Sequence, residues 1–203
     1  MELRCMPWEG EMEEQSVGRP RRQEVQAALI EAFVEEVRAA GYAATSLERV
    51  ATRAGVAKAT LYRRWASKGE LAVAALEQLI RCPSVDTSPG PRSITGRISS
   101  LAQQLAQPSV RFVLLGAIGE AAGDEKVREL LDARLCRPVV HELMIDCGVD
   151  EQAADLAFAT TVGAVLHWVA LTGEVRPDQV DGLASLIAPI VATTEAGTGA
   201  SGT

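Results

Sequence analysis

Apolar residues recur along most of this chain at three- and four-residue steps, the period of a helix with one buried face. Val25, Leu29, Phe33 and Val37, with Ala28 and Ala32 on the same side, predict a first helix over 22–40. Gly41 follows where a helix C-terminal glycine belongs. Thr45-Ser46-Leu47-Glu48 reads as a capping box, with Thr45 accepting from a backbone N–H and Glu48 reaching back. The second helix it opens turns Leu47, Val50, Ala51 and Ala54 inward. Gly55 supplies a turn, and a short third helix over 56–64 points Val56 and Leu61 inward. A second capping box, Ser67-Lys68-Gly69-Glu70, starts a longer helix through Leu71, Leu76, Leu79 and Ile80, and Cys82-Pro83 stops it. Residues 83–96 are rich in Pro, Ser and Gly and read as a loop. Helical patterns resume over 95–107, 108–122, 124–146, 151–172 and 177–193. Pro108 and Pro177 suit first-turn positions, and Gly173 ends the fourth of these patterns.

The expected fold is therefore all-α. The expected organisation is a tail over 1–17, a three-helix unit over 18–66, a connecting helix over 67–82, a helical second part over 83–194 and a flexible tail over 195–203.

Composition agrees with helices. Hydrophobic residues make up 47% of the chain but aromatics only 4%, so the apolar content is Ala, Leu and Val. No apolar run is expected to reach the roughly 20 residues of a membrane span. Residues 1–17 lack the apolar core of a secretory signal, which makes the cytoplasm the expected location and a membrane no expected partner. Cys5, Cys82, Cys136 and Cys147 form no C-x-x-C pair, and His141 and His167 lie far apart. No metal and no other cofactor is expected, and the cysteines read as small hydrophobes. Catalytic groupings are missing too: no Ser/His/Asp or Cys/His arrangement, no Glu-x-x-His pair and no phosphate loop is apparent. The acidic pairs Asp124-Glu125 and Asp150-Glu151 start helices, where they favour the helix dipole without catalysis. An enzyme is not expected.

The net charge of −7 argues at first against a polyanion partner. Its distribution reverses that argument. Residues 18–70 carry ten Lys and Arg against six Asp and Glu, whereas residues 71–203 carry nine against sixteen. One part suits a polyanion and the other suits a different task. Gly18-Arg19-Pro20-Arg21-Arg22 forms a short basic arm of a kind that can enter a minor groove, or stay solvated.

Two short helices joined by a glycine turn suit the reading of double-stranded DNA: one braces on the backbone while the next offers its outer face to base edges. Lys58, Ala59, Thr60 and Arg63 are the expected base readers, because Lys and Arg donate to guanine while Ala and Thr methyls meet thymine. Thr45, Ser46, Tyr62, Arg64 and Lys68 are the expected phosphate contacts, which set register.

The stretch from Gly41 through Thr45-Ser46-Leu47-Glu48 and Ala54-Gly55-Val56 to Thr60-Leu61-Tyr62-Arg63-Arg64-Trp65 and Lys68-Gly69-Glu70-Leu71 resembles the N-terminal domain of TetR-type regulators. The resemblance runs without a gap over 25–76. It implies an all-helical homodimer with an N-terminal three-helix DNA-binding domain, a fourth linking helix and a C-terminal ligand-binding and dimerisation domain. It implies a repressor of transcription that a small molecule releases from operator DNA; an activator or a ligand-independent DNA binder of the same fold is the alternative. Two departures stand out. The family often has Ser where Ala57 stands, which removes a helix cap, and Phe or His-Phe where Arg64-Trp65 stands.

In the second part, residues 162–174 are apolar nearly all round, as in a helix covered on several sides. Gly163 and Ala164 allow close approach, and Val180, Leu183, Leu186, Ile187 and Ile190 stripe the next helix. The resemblance implies that these two helices pair with their copies. Candidate ligand contacts are Phe112, Met144, Phe158, His167 and Trp168, with Leu115, Glu120, His141 and Thr161 behind them; each is also a plausible core or surface residue.

Overall fold

The structure, a computed structural model, describes residues 19–81 and 93–197. The tail over 1–17, the first residue of the basic arm, the heart of the Pro/Ser/Gly-rich loop, Cys5, Cys82 and the last residues of the chain lie outside the described part.

Among the described residues every regular element is a helix. Helix α1 spans Arg19–Ala40, α2 Leu47–Arg53, α3 Lys58–Tyr62 and α4 Lys68–Arg81. They are followed by α5 (Ile94–Ala106), α6 (Pro108–Ala121), α7 (Glu125–Leu131), a π-turn over Asp132–Cys136, α8 (Arg137–Cys147), α9 (Glu151–Thr172) and α10 (Pro177–Gly197).

The first three helices share a core. Leu29, Ile30, Phe33 and Val37 of α1 are buried against Leu47, Val50 and Ala51 of α2 and Leu61 of α3. Trp65 closes it from below, as its bulk requires. Helix α1 starts three residues earlier than the periodicity suggested, so Arg19 to Arg22 form its first turn rather than an extended arm. Pro20 sits in that turn, where its missing N–H costs nothing. The cap of α2 is also shifted by one. Ser46, not Thr45, is the N-cap, and its hydroxyl accepts from the Arg49 N–H at 3.3 Å. Thr45 is buried and donates to the Gly41 carbonyl at 2.9 Å. Gly41 and Gly55 both hold positive φ, which is why glycine punctuates both ends of this hairpin of helices.

The later helices form a second core. Helix α5 packs on α9 and α10, α8 on α9, and α4 on α6. The pattern over 124–146 is not one helix. A π-turn interrupts it just ahead of Pro138. Proline has no N–H to give to the carbonyl four residues back, and its ring crowds that carbonyl; a widened turn relieves both. Helix α9 is long and apolar enough, by length and composition, to cross a membrane, contrary to the expectation from the sequence. Only 33% of its most apolar stretch is buried, so much of that surface faces outward.

The two cores meet at α6. Tyr42, in the turn after α1, lays its ring against Gly116 so closely that a Cβ there would overlap the ring. The ring also meets Phe33 edge-to-face, 6.3 Å between centroids. Gly116→Ala is therefore expected to displace Tyr42 and lower stability by about 1–3 kcal/mol in urea titration. A change within about 0.5 kcal/mol would mean that the ring moves aside freely.

Candidate nucleic-acid interface

Helix α3 has five residues and no side-chain cap, because Ala57 occupies its N-cap with extended backbone (φ −61°, ψ 136°). It is held by anchoring rather than by capping. Leu61 points into the core, and the Trp65 N–H donates to the Leu61 carbonyl at 3.0 Å. With Leu61 fixed inward, Lys58, Ala59 and Arg63 stand exposed and Thr60 half-buried beside them. The four expected base readers thus lie on one outward surface.

The expected phosphate contacts divide. Ser46 is half-buried at the start of α2; its hydroxyl accepts from the Arg49 N–H and also lies beside the Glu48 carboxylate, whose pKa it helps to lower. Lys68 donates to the Tyr42 carbonyl at 3.0 Å and sits 4.3 Å above the Tyr42 ring, leaving further ammonium protons for another acceptor. Tyr62 is 45% exposed, but its hydroxyl donates to Glu48 at 2.6 Å. That bond holds the Glu48 carboxyl below its ordinary range and raises the Tyr62 phenol. Glu48 therefore does not close a capping box with Thr45; it ties α2 to α3. Arg64 is half-buried and donates to the Arg22 carbonyl at 3.1 Å, with its Nε buried. Thr45 is corrected outright: it is buried, and its one proton already goes to Gly41.

Sequence reasoning missed the carboxylates that brace this surface. Glu36 of α1 is buried and accepts from Arg53 at 2.7–2.8 Å and from Arg49 at 3.0 Å. Arg53 also reaches Glu35 at 3.1 Å. The Arg53 hydrogen bond, with the charges of both arginines, lowers the Glu36 pKa. Arg49 and Arg53 are four apart on one face of α2, a spacing that could have pointed to a shared partner.

Behind the surface lies a second junction. Glu120 of α6 accepts from the Tyr42 hydroxyl at 2.6 Å and from the Gly69 N–H at 3.1 Å. Burial, then the Glu120 bond, pushes the Tyr42 phenol far above its usual range, so it stays a donor. Glu70 completes the start of α4, accepting from the Ala66 N–H at 2.8 Å and pairing with Lys126 of α7, while Ser67 accepts from the Glu70 N–H at 3.1 Å. Glu120, expected behind the ligand contacts, is instead a fastener between helices.

A wholly apolar cavity of about 60 Å³ lies among α4, α5, α6, the end of α7, the π-turn, α8 and α9. Leu105, Leu114, Ile118, Leu135, Cys136 and Phe158 are in its wall. Of the five leading ligand candidates only Phe158 is there. Phe112 is exposed beneath the Arg111 guanidinium, and His167 is exposed on α9. Met144 and Trp168 are half-buried outside the wall. Thr161 is buried and bonds within its own helix, to Ala157. For Phe112 the reason is rotation: Val110, Leu114 and Ala117 turn inward on α6 and carry Phe112 out, while Ile118 stands at the rim of the cavity. Burial raises the Cys136 thiol to about 11, so it behaves as a small hydrophobe. Among the described residues no three His, Cys, Asp or Glu side chains gather where a metal could sit.

The known proteins agree with this architecture. Residues 29–75 match the model for bacterial regulatory proteins of the tetR family. The chain is 28% identical over 123 residues to an uncharacterised HTH-type transcriptional regulator, YdeS, of Bacillus subtilis (strain 168). That match covers 60% of this chain and 62% of YdeS, so the chain spans about three-fifths of the relative's length. A TetR transcriptional regulator from Rhodococcus sp. RHA1 has the same fold, with a TM-score of 0.63 at 19% identity over 86% of this chain and 98% of that one. The multidrug binding protein EbrR, complexed with ethidium, also reaches 0.63 at 17% identity, over 81% of this chain and 99% of its own. The segment 29–75 is thus similar to the N-terminal domain of tetR-family bacterial regulatory proteins, and the described helices share the fold of TetR-type regulators of known structure.

Proposed function

We propose that this protein is a transcriptional repressor, a homodimer that holds operator DNA through α3 and lets go when a small apolar molecule enters the second core. The observation that carries the reading is the position of α6. Leu114 and Ile118 line the apolar cavity, and Glu120, on the same helix, holds Tyr42 and Gly69 of the DNA-reading half. A ligand that widens the cavity must push on the helix that fixes the reading head. An activator, or a DNA binder without ligand, would suit a fully packed second core better.

The ligand class follows from the wall. It offers no carboxylate and no hydrogen-bonding side chain other than the protonated Cys136 thiol, so a neutral hydrocarbon-like molecule fits better than a cation. At about 60 Å³ the cavity must expand to take it. Proteins of the same fold are described with ethidium, a cation, and with stearoyl-CoA, whose long acyl chain is in keeping with a hydrocarbon-like ligand here.

Dimerisation through α9 and α10 rests on their outer faces. Leu156, Leu171 and Leu186 are 51%, 72% and 63% exposed, Gly163 and Gly182 have open space where a Cβ would stand, and the two helices pack together. Such an apolar strip on adjacent helices matches a second copy of itself. Light scattering at micromolar concentration should give twice the chain mass, and Leu171→Glu with Leu186→Glu should give the chain mass; a wild-type monomer would reject the interface.

Lys58, Ala59, Thr60 and Arg63 are the proposed base readers, with Ser46, Tyr62, Arg64 and Lys68 on phosphates. Tyr62 then exchanges Glu48 for a phosphate. Selection from randomised duplexes should give a new preferred sequence for Lys58→Ala or Arg63→Ala, because a side chain that reads a base is worth about 1–3 kcal/mol of discrimination. Lys68→Ala should weaken preferred and random DNA alike. An unchanged preference in the first pair would remove the base-reading role.

Loss of DNA anisotropy on adding long-chain alcohols tests release. The repressor reading predicts it at ligand levels that also raise the melting temperature. Stabilisation by a bound alcohol with no change in DNA affinity would favour the ligand-independent alternative.

A further inference from the structure

A second cavity, unlike the first, opens between the two halves. It is a cleft of about 930 Å³ bordered by the first turns of α1, the end of α3, the middle of α4 and the π-turn. Among the described residues Arg22, Arg63, Arg64 and Arg134 line it, with Glu77 as the one carboxylate and Gln78 beside it.

Most arginines outside the cleft are paired: Arg49, Arg53, Arg97, Arg128, Arg137 and Arg176 each face a carboxylate within 3.4 Å, while Arg111 bonds a backbone carbonyl and stacks on Phe112. In the cleft, Arg22 and Arg63 have no carboxylate partner among the described residues, and Arg64 gives one bond to a backbone carbonyl while its Nε stays buried without a partner. Arg134 has a long approach to Glu77, at 3.9 Å, and its charge also acts on Glu70. Among the described lining residues four guanidiniums stand against one carboxylate, which concentrates positive potential in a protein of net charge −7.

We propose that this cleft binds a phosphate-bearing anion that bridges Arg63 and Arg64 to Arg134. Guanidinium forks match phosphate oxygens two at a time, and several forks converging on one open, polar cleft suit a pyrophosphate better than a carboxylate. The anion has two possible sources, a free phosphorylated molecule or the backbone of bound DNA, and they have opposite effects. A free anion ties Arg63 to the second half of the protein and competes with DNA. A DNA phosphate reaching Arg134 adds to DNA affinity. In either case the site touches the apolar cavity through one turn of chain: Arg134 lines the cleft while Leu135 and Cys136 line the cavity.

Titration calorimetry of inorganic pyrophosphate into the full chain, beside Arg134→Gln and Gln78→Glu, tests this. The free-ligand form predicts saturable binding, weakened about tenfold or more by either variant, and pyrophosphate competition against random duplex DNA in the wild type. If pyrophosphate does not bind but Arg134→Gln weakens random-DNA binding and flattens its salt dependence by about one unit, the phosphate is the DNA's own. Pyrophosphate binding that both variants leave unchanged, or no effect of either variant on pyrophosphate or DNA while both melt like the wild type, overturns the site. None of these outcomes depends on release by an apolar ligand.

Discussion

One carboxylate joins the two halves of this molecule. Glu120 accepts from Tyr42, which follows α1, and from the first turn of α4 at Gly69. Around it the chain has given up side chains to allow the approach. A Cβ on Gly116 would overlap Tyr42, and one on Gly69 would stand 2.7 Å from Glu120 and 2.5 Å from Val127. Lys68 closes the assembly from the other side, bonded to the Tyr42 carbonyl and stacked on its ring. Hydrogen bonds to a charged acceptor in a half-buried setting are stronger than neutral ones, and breaking one strands its partners. The orientation of α2 and α3 relative to α6 therefore depends on these polar bonds as well as on the apolar packing of α1 and α4 against α6. Such a joint is suited to moving.

The proposed DNA-reading surface obeys a related constraint. For an acidic protein to bind DNA, its own carboxylates must be kept from its cations selectively. Glu36 and Glu35 take up Arg49 and Arg53, and Glu48 takes the Tyr62 hydroxyl, so α2 is locked to α1 and α3. Lys58 and Arg63 remain exposed on the outward side of α3. The carboxylates that lower the net charge thus act as braces for the helices that carry the free cations.

What could be read from the sequence was what local pattern dictates. The helices' existence, the glycine stops and the inward Leu47, Val50, Leu61 and Trp65 follow from periodicity and bulk, whereas the bounds shift: α3 spans Lys58–Tyr62 rather than 56–64, and α10 runs to Gly197 rather than 193. The errors were local too: Thr45 and Ser46 are both good caps, and only the backbone turn decides which is which. The π-turn was hidden because Leu131 and Leu135 keep the periodic look of one long helix, although Pro138 carried the signal. Tyr42 and Glu120 are 78 residues apart, and no spacing rule links them. The cavity wall was unreadable for the same reason, since it draws on seven elements whose rotations single-helix patterns leave open.

If the Glu120 joint couples the two halves, filling the apolar cavity is felt at α3. A double-mutant cycle on DNA affinity measures that directly. Val139→Phe places bulk in the cavity as a ligand would, and Tyr42→Phe removes a bond to Glu120 while keeping the ring. Coupling through Glu120 predicts that Val139→Phe weakens DNA binding in the wild type and does so markedly less when Tyr42 is replaced, a difference of about 1 kcal/mol or more. Strictly additive effects of the two substitutions would contradict it.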